Sequence, residues 1–273
     1  MAILLPLSEY LAGRWRALAL PGLLAVGLAA GSCQNTTEAV PDLGRDYYPV
    51  AVGNYWVYAV RDTIWSAATQ ANPHSTPRDS SYQLRETITE TFTDAVGQSA
   101  YRLVRAKRAN ATAAWVNDSV FTLSVLPSAL VLNRGNARTV ELIFPPREGR
   151  TWNFNAFNNN YNDTMKAETR QFTVVGKPFI TGGGNSTIPA VAYPVTLTTA
   201  NTNAASEASQ LRRVSYQQVY AQGIGLVFRR RVNFAFLNYT DTSSPGFPQV
   251  FPPGAYTSGF TRRETLIDYH LEK

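Results

Sequence analysis

The stretch "YPVAVGNYWVY", residues 48–58, has a second version, "FPPREGRTWNF", at residues 144–154. Each version has an aromatic residue, a proline, three residues, a glycine, two residues, a tryptophan, one residue and a second aromatic residue. The proline restricts the entering chain, and the glycine can adopt a positive φ just before the residues that alternate as in a β-strand. The motif positions are Pro49, Gly53 and Trp56 in the first version and Pro145, Gly149 and Trp152 in the second.

The second version also shows which face of its strand is buried. Side chains alternate between the two faces of a strand, so Trp152 and Phe154 point one way while Asn153 points the other. The same parity predicts that Trp56 and Tyr58 face the core. Burial of about 200 Å² per tryptophan is worth about 5 kcal/mol as an upper estimate, which favours scaffold residues over exposed platforms for stacking sugars.

Two further pairs of segments repeat in the same order as the opening motif. The offsets are 96 and 92 positions, against 96 for the motif itself, and the pairs are "SALVLNRG" (128–135) with "IGLVFRRR" (224–231), and "SAYRLV" (99–104) with "VAYPVT" (191–196). Three landmarks at nearly one offset predict two tandem repeats of about 90 residues. The repeats would span 46–135 and 142–231, with a C-terminal extension at 232–273.

The composition and the spacing of turn residues predict an all-β protein. Charged residues make up 16% of the chain, while Thr, Val, Tyr and Phe are concentrated in short segments that Gly, Pro, Asn and Asp separate. Short gaps between these segments favour an antiparallel curved sheet or half-barrel over parallel units with helical crossovers. The predicted strands are 54–65, 81–93, 99–108, 115–125, 129–133, 138–144, 151–155, 168–176, 189–199, 211–220, 225–238 and 262–271.

The N-terminal segment has the architecture of a secretory signal. Arg14 and Arg16 precede an almost uninterrupted apolar run from residue 17 to residue 30, and Gly31 and Ser32 lead directly into Cys33. The small-small-Cys ending resembles the lipobox of bacterial lipoproteins, in which the cysteine is acylated and becomes the first mature residue. An ordinary cleaved signal peptide with an incidental cysteine is the alternative.

This reading divides the chain into a signal peptide (1–32), a lipidated tether (33–45) and a β-rich domain (46–273). It predicts export and lipid anchoring in the cell envelope, with the outer membrane favoured. An exported protein meets no cellular nucleic acid, so the net charge of +6 points to anionic lipid headgroups or glycans instead. With one cysteine and two histidines, a Cys/His zinc site is excluded, and no cofactor is expected.

Three segments together resemble uncharacterised envelope lipoproteins of the Bacteroidetes. They are "YYPVAVGNYWVY", "FPPREGRTWNFNAFN" and "YAQGIGLVFRR", the last of which contains Gly223 and Gly225. The third segment is also similar to one in envelope proteins related to the curved-sheet lipoprotein carriers of the Lol type. The resemblance implies an envelope lipoprotein with a mostly antiparallel, curved sheet, and it implies no catalytic residues.

The candidate catalytic constellations are weak, so an enzyme is not favoured. His74 and His270 have no G-x-S-x-G nucleophile elbow to serve. Glu86 and Glu90 are spaced to share one face of a strand, where a glycosidase-like pair is conceivable but a solvated face is more ordinary. The asparagine-rich segment before Asp163 offers one carboxylate, which makes a poor calcium site.

The remaining candidates are basic residues on predicted strands. They are possible contacts for a ligand or an anionic surface, with a solvated face as the alternative, and they comprise Arg105, Lys107, Arg108, Arg229, Arg230 and Arg231. The sequence thus predicts a non-enzymatic binding or scaffold lipoprotein whose partner is a lipid, a glycan or an envelope protein. The alternative function is a carbohydrate-binding module or a glycan hydrolase of the envelope.

Overall fold

A computed structural model describes residues 43–95, 97–135, 137–157, 168–182, 188–202 and 209–272. Within these ranges the protein is all-β, as predicted, with one short 3-10 helix at Arg45–Tyr47. The described residues contain no helix with the length and apolarity needed to cross a bilayer. The predicted signal peptide and Cys33 lie outside the described residues, as does all but the end of the tether.

Fourteen strands follow one another along the described chain, twelve of them in one large sheet. They are β1 (Tyr55–Trp65), β2 (Pro77–Thr93), β3 (Ser99–Arg108), β4 (Val116–Val125), β5 (Ala129–Arg134), β6 (Ala137–Ile143), β7 (Thr151–Asn153), β8 (Thr169–Thr181), β9 (Val191–Asn201), β10 (Arg212–Ala221), β11 (Gly225–Phe236), β12 (Tyr239–Thr240), β13 (Gln249–Val250) and β14 (Tyr256–His270). Each of the twelve predicted strands overlaps one strand of the large sheet.

The large sheet is antiparallel, nearly closed and barrel-shaped, with the order β6-β5-β4-β3-β2-β1-β14-β11-β10-β9-β8-β7. Its two edge strands, β6 and β7, approach each other at the seam. There the Val140 amide donates a hydrogen bond to the Phe154 carbonyl (2.8 Å), and Trp152 Nε1 donates to the Val140 carbonyl (2.9 Å). These bonds satisfy backbone groups of the two edge strands, which could otherwise pair with other chains.

The sheet consists of two six-stranded meanders that meet where β1 pairs with β14. One meander is β1 to β6, and the other is β7 to β11 followed by β14. The three landmark pairs of the sequence fall on the first strands (β1 and β7), the third strands (β3 and β9) and the fifth strands (β5 and β11) of the two meanders. Duplication itself stays a prediction, but its landmarks occupy matching places in the topology.

The opening motif lies in the core and contacts the segment "YAQGIGLVFRR", which contains Ile224 and Leu226. Trp56 is 1% exposed, and its Nε1 donates a hydrogen bond to the Ile224 carbonyl (2.6 Å). The Tyr58 hydroxyl donates to the Leu226 carbonyl (3.1 Å). Gly225 has φ +107°, and a Cβ there would meet Trp56 Nε1 at 3.0 Å. The glycine is therefore required both by its backbone conformation and by the close approach of the indole.

Burial confirms the predicted parity of the motif strands. Trp56, Tyr58 and Val60 are buried, and Trp152 is 9% exposed. Gly53 and Gly149 both have a positive φ (+99° and +82°) immediately before their strands, as the motif predicted. The tryptophans thus belong to the interior of the sheet and offer no exposed stacking platform.

Candidate functional site

The interior of the sheet contains ion pairs between buried charged side chains. Arg229 Nη1 lies 2.6 Å from Glu264 Oε2, and the two side chains are 7% and 3% exposed. Arg229 therefore faces the interior and does not contribute to an outward basic surface. Arginine and glutamate are directly opposite each other on β11 and β14, so their side chains emerge on the same face.

Further ion pairs lie inside the sheet. Arg134 Nη1 contacts Glu141 Oε1 (3.1 Å), and Arg262 holds Asp62 with two hydrogen bonds of 2.8 Å each. Burial by itself would raise the pKa of Glu141, but the charges of Arg134, Arg229 and Arg170, with a hydrogen bond from Thr139, together outweigh it and lower that pKa below its usual value. Glu141 is therefore held ionised by the cationic groups around it.

A very small void lies beside these charges. It measures about 10 Å³ and is bordered by Glu86, Glu141, Arg229, Tyr48 and Tyr220, among others. A space of this size holds one water molecule at most. Burial, with Glu86 nearby, raises the pKa of Tyr48, and burial likewise raises that of Tyr220. This interior region is consequently a packed structural element without room for a ligand.

The three basic candidates on β3 have different partners, and Arg108 lies on the opposite face of the strand from Arg105 and Lys107. Arg105 forms an ion pair with Asp118 (2.5 Å). The Lys107 ammonium lies 4.0 Å from the centre of the Tyr82 ring. Arg108 donates from Nε to the Gln83 amide oxygen (2.7 Å) and lies over the Trp115 ring.

The arginine run on β11 is also divided between faces. Arg229 is buried, Arg230 is exposed on the opposite face, and Arg231 is half-buried with its guanidinium 5.3 Å from the centre of the Tyr216 ring. The alternation of side chains along a strand explains this division. The six basic candidates therefore do not form one anionic-surface patch, and Arg230 is the outward member of its run.

The structure also separates the carboxylate pair that the sequence suggested. Glu86 is buried inside the sheet, while Glu90 is exposed and forms an ion pair with Arg102 (2.5 Å). The register of β2 against β3 shifts between Ile88 and Glu90, because Thr89 is an extra, bulged residue. The prediction that Glu86 and Glu90 share one face is therefore wrong, and no glycosidase-like pair exists at these positions.

The remaining catalytic and metal candidates do not gather into a site. His270 stacks on Tyr55 and lies 3.3 Å from Glu272, at an exposed position. Within the described ranges, no group of three or more His, Cys, Asp or Glu side chains is placed to hold a metal ion. Most of the asparagine-rich segment, including Asp163, lies outside those ranges.

A cleft of about 630 Å³ that is suited to a ligand lies on the outer face of β2, β1 and β14. The loop between β3 and β4 forms one wall and contributes Asn110. The chain at Ile188, between β8 and β9, forms another. Outside the lining of the cleft, the ring of Phe179 on β8 lies 5.6 Å from the ring of Phe228 on β11. The volume lies within the usual range for small-molecule sites.

The cleft, referred to below as the outer cleft, has a polar lining. Arg61 and Arg263 line it from β1 and β14, together with Asp79, Gln83 and Thr265. Arg61 Nη2 contacts Asp79 Oδ2 (2.6 Å), and Asp79 Oδ1 accepts a hydrogen bond from Thr63 (2.7 Å). The hydrogen bond from Thr63 is the larger cause, and the contact with Arg61 the next, of a lowered pKa of Asp79.

Sequence reasoning did not identify the residues of the outer cleft. Arg61 and Arg263 are ordinary exposed strand positions in the sequence, and they come together only because β1 pairs with β14. The one sequence signal near this region was the arginine run that contains Arg230, which lies directly opposite Arg263.

Comparison of the chain with protein-family models, curated proteins and solved structures found no match. The resemblance to envelope lipoproteins therefore stays a prediction from the motifs.

Proposed function

We propose that the protein is a cell-envelope lipoprotein, anchored through acylated Cys33, whose β-domain binds a small ligand in the outer cleft. The lipobox-like sequence before Cys33 supports the anchor. The observation that carries the binding role is the outer cleft itself, which is concave, about 630 Å³ in volume and lined by convergent polar side chains.

A binding role accounts better than catalysis for the charged groups inside the sheet. A general acid needs a carboxyl group whose pKa is raised toward neutrality. Burial would raise the pKa of Glu264, but Arg229, with Arg231 and Arg262, more than offsets it and lowers that pKa instead. Such a carboxylate stays ionised and serves as the partner of an arginine.

The alternative of a carbohydrate-binding module now depends on the outer cleft and no longer on the motif tryptophans. Trp56 and Trp152 are buried and cannot stack on a sugar ring. A glycan unit remains a suitable ligand class for a polar cleft of this size, so the alternative concerns the identity of the ligand. A glycan hydrolase would need its carboxylates elsewhere, since Glu86 and Glu90 lie on opposite faces.

The anchor is tested by labelling a bacterial host with radioactive palmitate while it expresses the full chain. We expect label in the wild-type protein and none in the Cys33→Ala variant, because acylation requires the cysteine sulfur. The matched control is Ser32→Ala, which changes the neighbouring small residue to another small residue and should keep the label. Equal labelling of the Cys33→Ala protein would contradict the anchor.

A further inference from the structure

We infer that the outer cleft binds a small ligand bearing a carboxylate or phosphate group, engaged by Arg263 and Arg230. This inference rests on the proposed function and names the ligand chemistry of the same cleft. Its first basis is a row of three arginines on the outer face. Arg61 and Arg263 line the cleft and lie directly opposite each other, and Arg230, just beyond the lining, lies directly opposite Arg263 on the next strand.

Only one of the three arginines has a carboxylate partner. Arg61 is paired with Asp79, whereas Arg263 and Arg230 make no ion pair with any described residue. The Arg263 guanidinium lies 5.2 Å from the centre of the Phe228 ring. This contact leaves the arginine N–H groups free to donate in the plane of the guanidinium. Like charges directly opposite each other on neighbouring strands are destabilising. An anion bound between Arg263 and Arg230 would remove this repulsion.

The amide side chains of the cleft have their oxygen atoms already occupied. The Gln83 oxygen accepts the hydrogen bond from Arg108, and the Asn110 oxygen accepts hydrogen bonds from the Thr112 and Ala113 amides. These bonds fix the amide orientation, because a flipped amide would present nitrogen to a donor. The NH₂ groups of Gln83 and Asn110 are what remain for a ligand.

Two further groups bear on the balance of donors and acceptors in the cleft: the Thr265 hydroxyl and the Asp79 carboxylate. Thr265 is 0% exposed, borders the cleft, and has a hydroxyl with no hydrogen-bond partner among the described residues. A buried polar group without a partner is costly and uncommon in native structures. The carboxylate of Asp79, the acidic residue of the lining, accepts from Arg61 and Thr63 with its two oxygens. Apart from its hydroxyl groups, which can donate or accept, the side chains of the cleft therefore offer more free donors than free acceptors.

A ligand that complements such a lining consists mainly of acceptors. Carboxylates and phosphates fit, because arginine binds both through pairs of parallel hydrogen bonds. The ligand is small, because the cleft of about 630 Å³ has the volume of a small-molecule site and can admit a monosaccharide or a headgroup. A soluble sugar acid, a sugar phosphate and a lipid headgroup share this chemistry.

Isothermal titration calorimetry on the full-length protein in mild detergent tests the inference. The probes are glucuronate, glucose 6-phosphate, short-chain dihexanoyl-phosphatidylglycerol and neutral glucose. At least one anionic probe should bind more tightly than glucose. That affinity should fall about tenfold to a hundredfold in Arg263→Gln and in Arg230→Gln, since hydrogen bonds to a charged group are lost. Whichever anionic probe binds identifies the source of the group.

The control variant is Arg213→Gln, an exposed arginine on β10 that lies opposite Phe234. It should bind the anionic probe as the wild type does. Arg230→Gln should also raise the thermal midpoint of the ligand-free protein, because it removes the repulsion with Arg263. A merely structural Arg230 would give a fall in that midpoint.

Three results would overturn the inference: no anionic probe binds, glucose binds as tightly as the anions, or anion binding is unchanged in both Arg263→Gln and Arg230→Gln. Glucose binding that is lost in Asn110→Ala would overturn the anionic ligand while supporting a binding role for the cleft. Palmitate labelling of Cys33 reports on the anchor independently of all these outcomes.

Discussion

Trp56 is the residue through which the opening motif contacts the segment that contains Ile224 and Gly225. Its indole N–H donates to the Ile224 carbonyl (2.6 Å), and its ring edge lies where Gly225 has no side chain. Tyr48, the first residue of the same motif, packs its ring 5.5 Å from that of Trp56. The motif therefore supplies both a local aromatic pair, Tyr48 with Trp56, and a hydrogen bond from Trp56 to the segment before β11.

Trp56→Phe should destabilise the protein by about 2–4 kcal/mol, because it removes a buried hydrogen bond and leaves a cavity beside Gly225. Urea denaturation followed by circular dichroism measures the change as a shift in midpoint with an unchanged slope. The matched control is Trp115→Phe, at a half-exposed tryptophan over Arg108. It should cost less than about 1 kcal/mol. Equal losses in the two variants would refute the docking role of Trp56.

At the scale of the strand, a single bulged residue decides which side chains enter the interior. Ile88 pairs with Leu103 and Glu90 pairs with Arg102, so Thr89 has no partner of its own in the β2–β3 ladder. The bulge turns Glu90 outward although it is four positions from the buried Glu86. Without it, the strict alternation along β2 would place Glu90 inside and away from its partner Arg102.

Deleting Thr89 should be tolerated, with a change in unfolding free energy of about 1 kcal/mol or less. The pairs Ile88–Leu103 and Glu90–Arg102 become consecutive in a regular ladder, so no buried side chain changes face. The control is deletion of Thr87, a residue that pairs with Val104. That deletion shifts the register and inverts one part of the strand, and it should prevent folding.

Thermal unfolding and proteolysis of the two deletion variants distinguish them. If the Thr89 deletion unfolds the protein as completely as the Thr87 deletion, the bulge is required by the fold and is not a dispensable insertion.

The strands could be predicted from sequence because their signals are local. Alternating apolar residues and turn residues predicted each strand of the large sheet, and the parity of Trp152 against Asn153 predicted the buried face. The ion pair of Arg229 with Glu264 could not be predicted, since it depends on the register between β11 and β14. The outer cleft was missed for the same reason, because Arg61 and Arg263 meet only through strand pairing.

At the scale of the whole molecule, the nearly closed sheet surrounds an unusually charged interior. The arginine–carboxylate pairs Arg229–Glu264, Arg134–Glu141 and Arg262–Asp62 lie there with Trp56 and other aromatic residues. Removing two charges from water is costly, and the attraction within a buried pair largely offsets that cost when the geometry is good. The pairs therefore favour one arrangement of the strands, because a shifted register would leave a buried charge without a partner.

The interior pairs predict how stability depends on pH. The pKa of Glu264 is lowered in the folded protein, so the unfolded chain binds its proton more tightly. The contribution to stability is present above the unfolded pKa, roughly 4.3, and is lost as pH falls through the folded value. Urea denaturation from pH 7 to pH 3 should show a decline below about pH 4.5. The decline should be shallower in the double variant Arg229→Met with Glu264→Leu, because this variant removes both charges together. The control is Arg213→Gln, which should keep the pH profile of the wild type. An acid decline of the same steepness in the double variant would show that this pair does not couple the fold to pH.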